Sequence, residues 1–266
     1  MKPKLHFAHA NGVPSPVYEP FLSVLRDQLE VAAISPLGAT AGYPVDQNWK
    51  SLTSQVIDSV ESFGGGQPVI GVGHSLGALC TYLAAHQRPD LFTRVIMLDP
   101  PMFVGSASFA MWVLKRLGNR FIDKLAPSGL SKKRRDHWPD REVAYESLRR
   151  KSLFRPFDER CFKAYIDHAL VDSERGVELL ISREAETEIF RTNPDFFWRD
   201  CRKPEVPVLQ VTGSESDFFK RGYPQAFEKT CGIPYKVVAG GHMFIHEHPD
   251  QIAQLILSEL ELEHLP

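Results

Sequence analysis

The stretch Val69-Ile70-Gly71-Val72-Gly73-His74-Ser75-Leu76-Gly77-Ala78-Leu79 leaves little freedom to the fold around it. A short apolar run stops at Gly73, a serine follows two residues later, and an apolar-periodic segment begins at once. This reads as strand, sharp turn and helix, with Gly73-His74-Ser75-Leu76-Gly77 as G-x-S-x-G. A serine on such a turn sits in strained backbone and is pushed into the open above the sheet. Glycines on both sides lack a Cβ, so strand and helix can approach the turn closely. The helix points its free N–H groups and positive dipole end at any oxyanion formed there. A pentapeptide of this kind also arises by chance, so the rest of the chain has to supply its partners.

Read in order, Leu5 to Ala8 is a strand that runs into the loop His9-Ala10-Asn11-Gly12-Val13-Pro14. Val17 to Leu29 has helical spacing at Phe21, Leu22, Leu25 and Leu29. Val31 to Ile34 is the next strand, and Pro36 to Asn48 is a loop. Trp49, Leu52, Val56, Ile57 and Val60 mark a helix closed by Gly64-Gly65-Gly66. Pro68 to Val72 leads to the serine turn, and Arg94 to Leu98 runs into Asp99-Pro100-Pro101. The rhythm then breaks. From Phe103 to about Phe197 the pattern is helical and aromatic (Phe109, Phe121, Trp112, Trp138) and shows no convincing strand. Alternation resumes with a strand over Val206 to Thr212, the loop Gly213-Ser214-Glu215-Ser216-Asp217, and a last strand over Tyr235 to Val238. Gly240-Gly241-His242 follows, then a helix from Pro249. Strands alternating with helices of this length predict an α/β fold, a doubly wound, mainly parallel six-stranded sheet with helices on both faces. Residues 1–102 and 200–266 are expected to form the core, and 103–199 an inserted helical cap. In such sheets ligands sit beyond the carboxyl ends of the strands. Asn11-Gly12, Ser75, Asp99, Asp217 and His242 all fall there.

A serine hydroxyl needs a base to take its proton, and the base needs an orienting acid. Ser75, Asp217 and His242 supply these in the chain order expected for a G-x-S-x-G nucleophile. Together with His9 to Pro14, Leu98-Asp99-Pro100 and Gly240-Gly241-His242-Met243-Phe244, they make the sequence similar to the α/β-hydrolase superfamily over nearly its whole length. The resemblance implies a serine nucleophile, a histidine base in the Gly-Gly-His loop, and a helical cap after the strand ending at Asp99. Two departures stand out. The antiparallel strands that often open the family are missing ahead of His9. The usual acid position, G-x-x-D, holds Ser216, and Asp217 comes one residue later. Asp217 is therefore preferred as the acid, with Asp99 second and Glu215 third. One oxyanion donor is expected at the N–H of Leu76. The other falls on Val13 or Asn11, according to how the first loop aligns.

His9 and His74 read as structural residues that hold loops by hydrogen bonds. His242, His246 and His248 do not share one face, and no HExxH is present, so no metal and no cofactor are expected. With 31 Lys and Arg against 33 Asp and Glu, the net charge of −2 gives no reason to expect nucleic acid, and no stretch is long enough to span a membrane. The basic run Lys132-Lys133-Arg134-Arg135 reads as a solvated face. Cys80, Cys161, Cys201 and Cys231 are scattered, read as reduced thiols, and suit a cytoplasmic protein. The cap is rich in Phe, Trp and Met, with Phe103, Trp112 and Met243 as candidate substrate contacts. It favours a small-molecule substrate with an apolar acyl or alcohol group. The expectation is a serine hydrolase of carboxylic esters. Thioester, lactone or C–C bond hydrolysis uses the same parts, and a lyase or a ligand-binding sensor on this fold is the competing class.

Overall fold

The computed structural model describes residues 2–118, 122–123 and 128–261. Six strands form one sheet: β1 (Lys4–Ala8), β2 (Glu30–Ala33), β3 (Val69–His74), β4 (Phe92–Leu98), β8 (Val208–Gly213) and β9 (Tyr235–Val238). Their order is β2-β1-β3-β4-β8-β9, and every neighbouring pair is parallel. β3 is buried along its whole length in the middle of the sheet.

The period-2 alternation of strand side chains divides the core into two layers. Leu5, Phe7, Ile96, Leu98, Leu209 and Val211 join one cluster. It contains the inner stripe of α1 (Glu19–Arg26), Phe21, Leu22 and Leu25, and of the final helix Pro249–Glu261, Ile252 and Ile256. Ala8, Val69, Val95, Met97 and Val208 face the other way. They pack on α2 (Lys50–Gly64) and α3 (Leu76–Gln87). α3 is buried at Leu76 through Ala85, so the helix carrying the serine turn is fixed on all sides.

Between β4 and β8 the chain forms α4 (Gly105–Leu117) and the helices Ser128–Ser131, Arg141–Arg149, Glu159–His168 and Arg183–Thr192. Asp140, Asp158 and Ser182 cap the last three by accepting backbone N–H bonds. The expectation that this segment lacks strands is corrected. β5 (His137–Trp138), β6 (Leu170–Ser173) and β7 (Gly176–Leu179) form an antiparallel sheet of order β5-β7-β6. Strands of two to four residues carry too few alternations to stand out from helical neighbours. Phe121 lies outside the described residues.

Two further expectations change. Arg134 is not on a solvated face. It donates to both carboxylate oxygens of the buried Glu186, at 2.6 and 2.9 Å, and to the Tyr165 hydroxyl at 3.0 Å. Ser131 adds a bond to the same carboxylate at 2.9 Å. The run of four basic residues gave no sign that one of them faces inward. Cys201 and Cys231 are paired in a disulfide with a Cα–Cα distance of 5.5 Å, while Cys80 and Cys161 are free and buried. The pair is 30 residues apart and meets because one cysteine precedes β8 and the other ends the crossover helix Tyr223–Cys231. Of the four cysteines expected to be reduced thiols, only Cys80 and Cys161 are. Among the described residues no helix is long and apolar enough to cross a membrane.

Burial lowers the pKa of His6 and of His9 to about 4, and burial and the nearby His242 lower that of His246 to about 3. All three are neutral in the fold and take up protons near 6.5 once unfolded. Below pH 6.5 the unfolded chain therefore binds more protons, and stability present above that pH is lost as it falls toward 4. Thermal unfolding followed by circular dichroism should show Tm falling steadily from pH 7 to pH 5. A flat Tm across that interval would contradict the assignment of these rings as buried and neutral.

Candidate active site

Ser75 sits between β3 and α3 with φ 52° and ψ −114°, a strained conformation for a residue with a Cβ. Its N–H donates to Leu98 O at 2.8 Å, which fixes the turn against the end of β4. The flanking glycines are required by space. A Cβ on Gly73 would stand 2.4 Å from Gly77 O, and one on Gly77 would stand 2.2 Å from Ala8 O. The second contact is what lets the first loop lie on the N-terminus of α3, where Gly77 N–H donates to His9 O at 3.1 Å.

His242 Nε2 lies 3.0 Å from Ser75 Oγ, and its Nδ1 lies 2.6 Å from Asp99 Oδ2. The carboxylate beside the imidazole is therefore Asp99, the second-ranked residue of the sequence reading, and not Asp217. Asp99 follows β4 in a left-handed conformation, φ 42°, which aspartate tolerates better than most residues. Its side chain is fully buried, while that of His242 is one-third exposed. Two hydroxyls hold the carboxylate: Thr212 Oγ1 donates to Oδ1 and Ser216 Oγ to Oδ2, each at 2.5 Å. Asp217 is exposed and opens the short helix Asp217–Lys220, which Ser216 caps; Glu215 is exposed as well. The loop after β8 thus reaches the site through Ser216, at the position where a G-x-x-D loop would carry its acid.

Leu76 is the first residue of α3, so its N–H has no partner within the helix. Of the two expected first-loop donors, Val13 spends its N–H on Ala10 O at 3.2 Å. No partner holds the N–H of Asn11 among the described residues. The Asn11 side chain donates to Glu186 O at 3.1 Å and ties the loop to the helix Arg183–Thr192. His9 serves the same loop: Nδ1–H donates to Ala10 O at 2.7 Å, and Nε2 accepts from Leu37 N–H at 2.8 Å.

The residues expected to meet substrate are placed differently from one another. Phe103 packs edge-on to Tyr223, ring centres 5.1 Å apart, and 6.2 Å from Phe218. Phe218 stands edge-on to His242 at 5.2 Å. These three half-exposed rings form an apolar wall beside His242. Phe218 and Tyr223 were not anticipated; their only sequence signal is aromatic residues directly after a strand-end loop. Met243 is 5% exposed and belongs to the core. Trp112 stacks with Phe109 and meets Trp198, with the Arg116 guanidinium 3.6 Å from its ring centre.

A model of the alpha/beta hydrolase family matches residues 7–255. The chain belongs to that family. The chain is 26% identical over 181 residues to the type I acyl-CoA thioesterase mpaH' of Penicillium brevicompactum. The match takes in 62% of the chain and 39% of that relative, so the chain spans about two fifths of its length. Among solved structures, E-2-(acetamidomethylene)succinate hydrolase superposes with a TM-score of 0.76 at 20% identity, covering 98% of this chain and 92% of the other. The thioesterase domain from the curacin biosynthetic pathway superposes with a TM-score of 0.73 at 17% identity, covering 96% and 91%. At these identities the superpositions establish the shared fold.

Proposed function

We propose that the chain is a serine hydrolase that cleaves small to medium apolar acyl esters through an acyl-enzyme intermediate, with Ser75 as nucleophile, His242 as base and Asp99 as acid. The observation that carries this reading is the unbroken hydrogen-bond path from Ser75 Oγ through His242 to Asp99. Ser75 Oγ attacks the acyl carbonyl as its proton passes to His242 Nε2. Asp99 stabilises the imidazolium and keeps Nε2 directed at the serine. The oxyanion is received by the N–H groups of Leu76 and Asn11, each worth about 3 kcal/mol of transition-state stabilisation. His242 then protonates the departing alcohol, the C–O bond breaks, and water repeats the sequence on the acyl-serine. The buried hydroxyls of Thr212 and Ser216 donate to the carboxylate and hold it in place beside the imidazole. Residues 103–199 act as the cover of the site, and the ring wall of Phe103, Phe218 and Tyr223 suits an apolar substituent.

A thioester is the second reading, favoured by the named thioesterase among the relatives. It uses the same residues, with a thiolate leaving in place of an alkoxide. The test is a fluorophosphonate probe combined with a series of acyl esters and acyl thioesters of increasing chain length. The expected result is a covalent adduct on Ser75 by mass spectrometry, and turnover that rises with acyl length before the site is filled. Tight binding of these compounds with neither adduct nor turnover would replace the hydrolase by a ligand-binding sensor.

A further inference from the structure

We propose that Tyr18 and His74 are positioning residues that clamp the oxyanion loop to the loop carrying His242, keeping donor and base in one register with Ser75; this rests on the serine-hydrolase reading above. His74 is the last residue of β3, directly before the nucleophile, and is completely buried between the two loops. Its Nε2 lies 2.9 Å from the carbonyl oxygen of His242. A carbonyl only accepts, so Nε2 carries the hydrogen. Burial and the neighbouring His242 and His246 hold the His74 pKa well below its ordinary value, so the ring is neutral and Nδ1 is a bare lone pair. The group 2.8 Å from Nδ1 is the Tyr18 hydroxyl, which must therefore donate. The Tyr18 oxygen in turn accepts the N–H of Ala10 at 3.0 Å.

Every proton in this path has one place to go. It starts on Ala10, one residue before the Asn11 donor, and ends on the backbone of the base itself. Asp99 holds His242 by its ring, and His74 holds it by its main chain. Tyr18 is 1% exposed, with the Phe7 and His246 rings 4.7 and 4.3 Å from its own, which leaves its hydroxyl little room to swing elsewhere. A slip of either loop would break one of these buried hydrogen bonds. Displacement of a reacting group by about 1 Å can cost on the order of 100-fold in rate.

The test combines one measurement on the unmodified protein with three variants. Selective nitrogen-15 labelling of histidine should show His74 as the Nε2–H tautomer at pH 7, a readout that needs no substrate. Tyr18→Phe, with Tm measured alongside, should lower kcat about tenfold with KM little changed. His74→Gln still offers an N–H toward the His242 carbonyl and should retain more kcat than His74→Leu. The clamp is overturned by an Nδ1–H tautomer at His74, or by wild-type kcat in folded Tyr18→Phe and His74→Leu proteins. A wild-type protein that takes no fluorophosphonate and turns over no ester would instead remove the hydrolase reading, and the tautomer distinguishes the two failures.

Discussion

Asp99→Asn is expected to lower kcat for a chromogenic acyl ester about 10⁴-fold, the loss typical when the acid of such a triad becomes an amide. Asp217→Asn and Glu215→Gln are expected to leave it unchanged. The amide keeps the volume of the carboxylate and tolerates the left-handed backbone at position 99 nearly as well, so the protein should stay folded. What disappears is the charge that stabilises an imidazolium and the acceptor that selects the His242 tautomer. The Thr212 and Ser216 hydroxyls add a second arm. Ser216 Oγ reaches the same Asp99 oxygen that meets His242, so a carboxylate grown from position 216 lies within reach of the imidazole. Asp99→Asn combined with Ser216→Asp should regain part of the lost rate. A large loss in Asp217→Asn with near-normal activity in Asp99→Asn would reverse the assignment of the acid.

Ser75→Ala is expected to lower kcat about 10⁶-fold and to abolish the fluorophosphonate adduct. Substrate should still bind, because removing one hydroxyl leaves the ring wall and the N–H donors of Leu76 and Asn11 in place. The residual rate over water should come from those donors. The positive φ at Ser75 is tolerated poorly by any residue with a Cβ, and alanine carries the same strain as serine, so Tm should change little. Kinetics of both ester hydrolysis and probe labelling, with Tm as a control, decide the point. Turnover in Ser75→Ala equal to wild type would remove the serine mechanism.

The six-stranded sheet was legible because each strand ends at a Gly- or Pro-containing loop, and because parallel crossovers impose a regular alternation. The serine turn was legible for the same local reason. The acid was not. Asp99 and His242 are 143 residues apart in sequence, and spacing within Gly213–Asp217 says nothing about which strand end lies nearer to the imidazole. Ser216 in the usual acid position was the clue, and it pointed away from its own loop toward β4. The choice between Asn11 and Val13 likewise depended on a turn bond, from Val13 N–H to Ala10 O, that no residue type announces. Cys201 and Cys231, and Arg134 with Glu186, meet only through the tertiary fold. The strands β5 to β7 are too short for periodicity to separate them from their helical surroundings.

Ser75 and Asp99 stand at the ends of adjacent, directly bonded strands, where His74 pairs with Leu98 and Ser75 N–H donates to Leu98 O. The loop after β8 brings the Ser216 hydroxyl to Asp99, then turns outward to present Phe218 beside His242. If the proposed function holds, chemistry and selectivity fall to different stretches of chain. On that reading, residues beyond Ser216 can be lengthened, shortened or exchanged while Asp99 keeps its place beside His242. An insertion between Leu98 and Pro101 has no such latitude, because it would carry Asp99 away from His242.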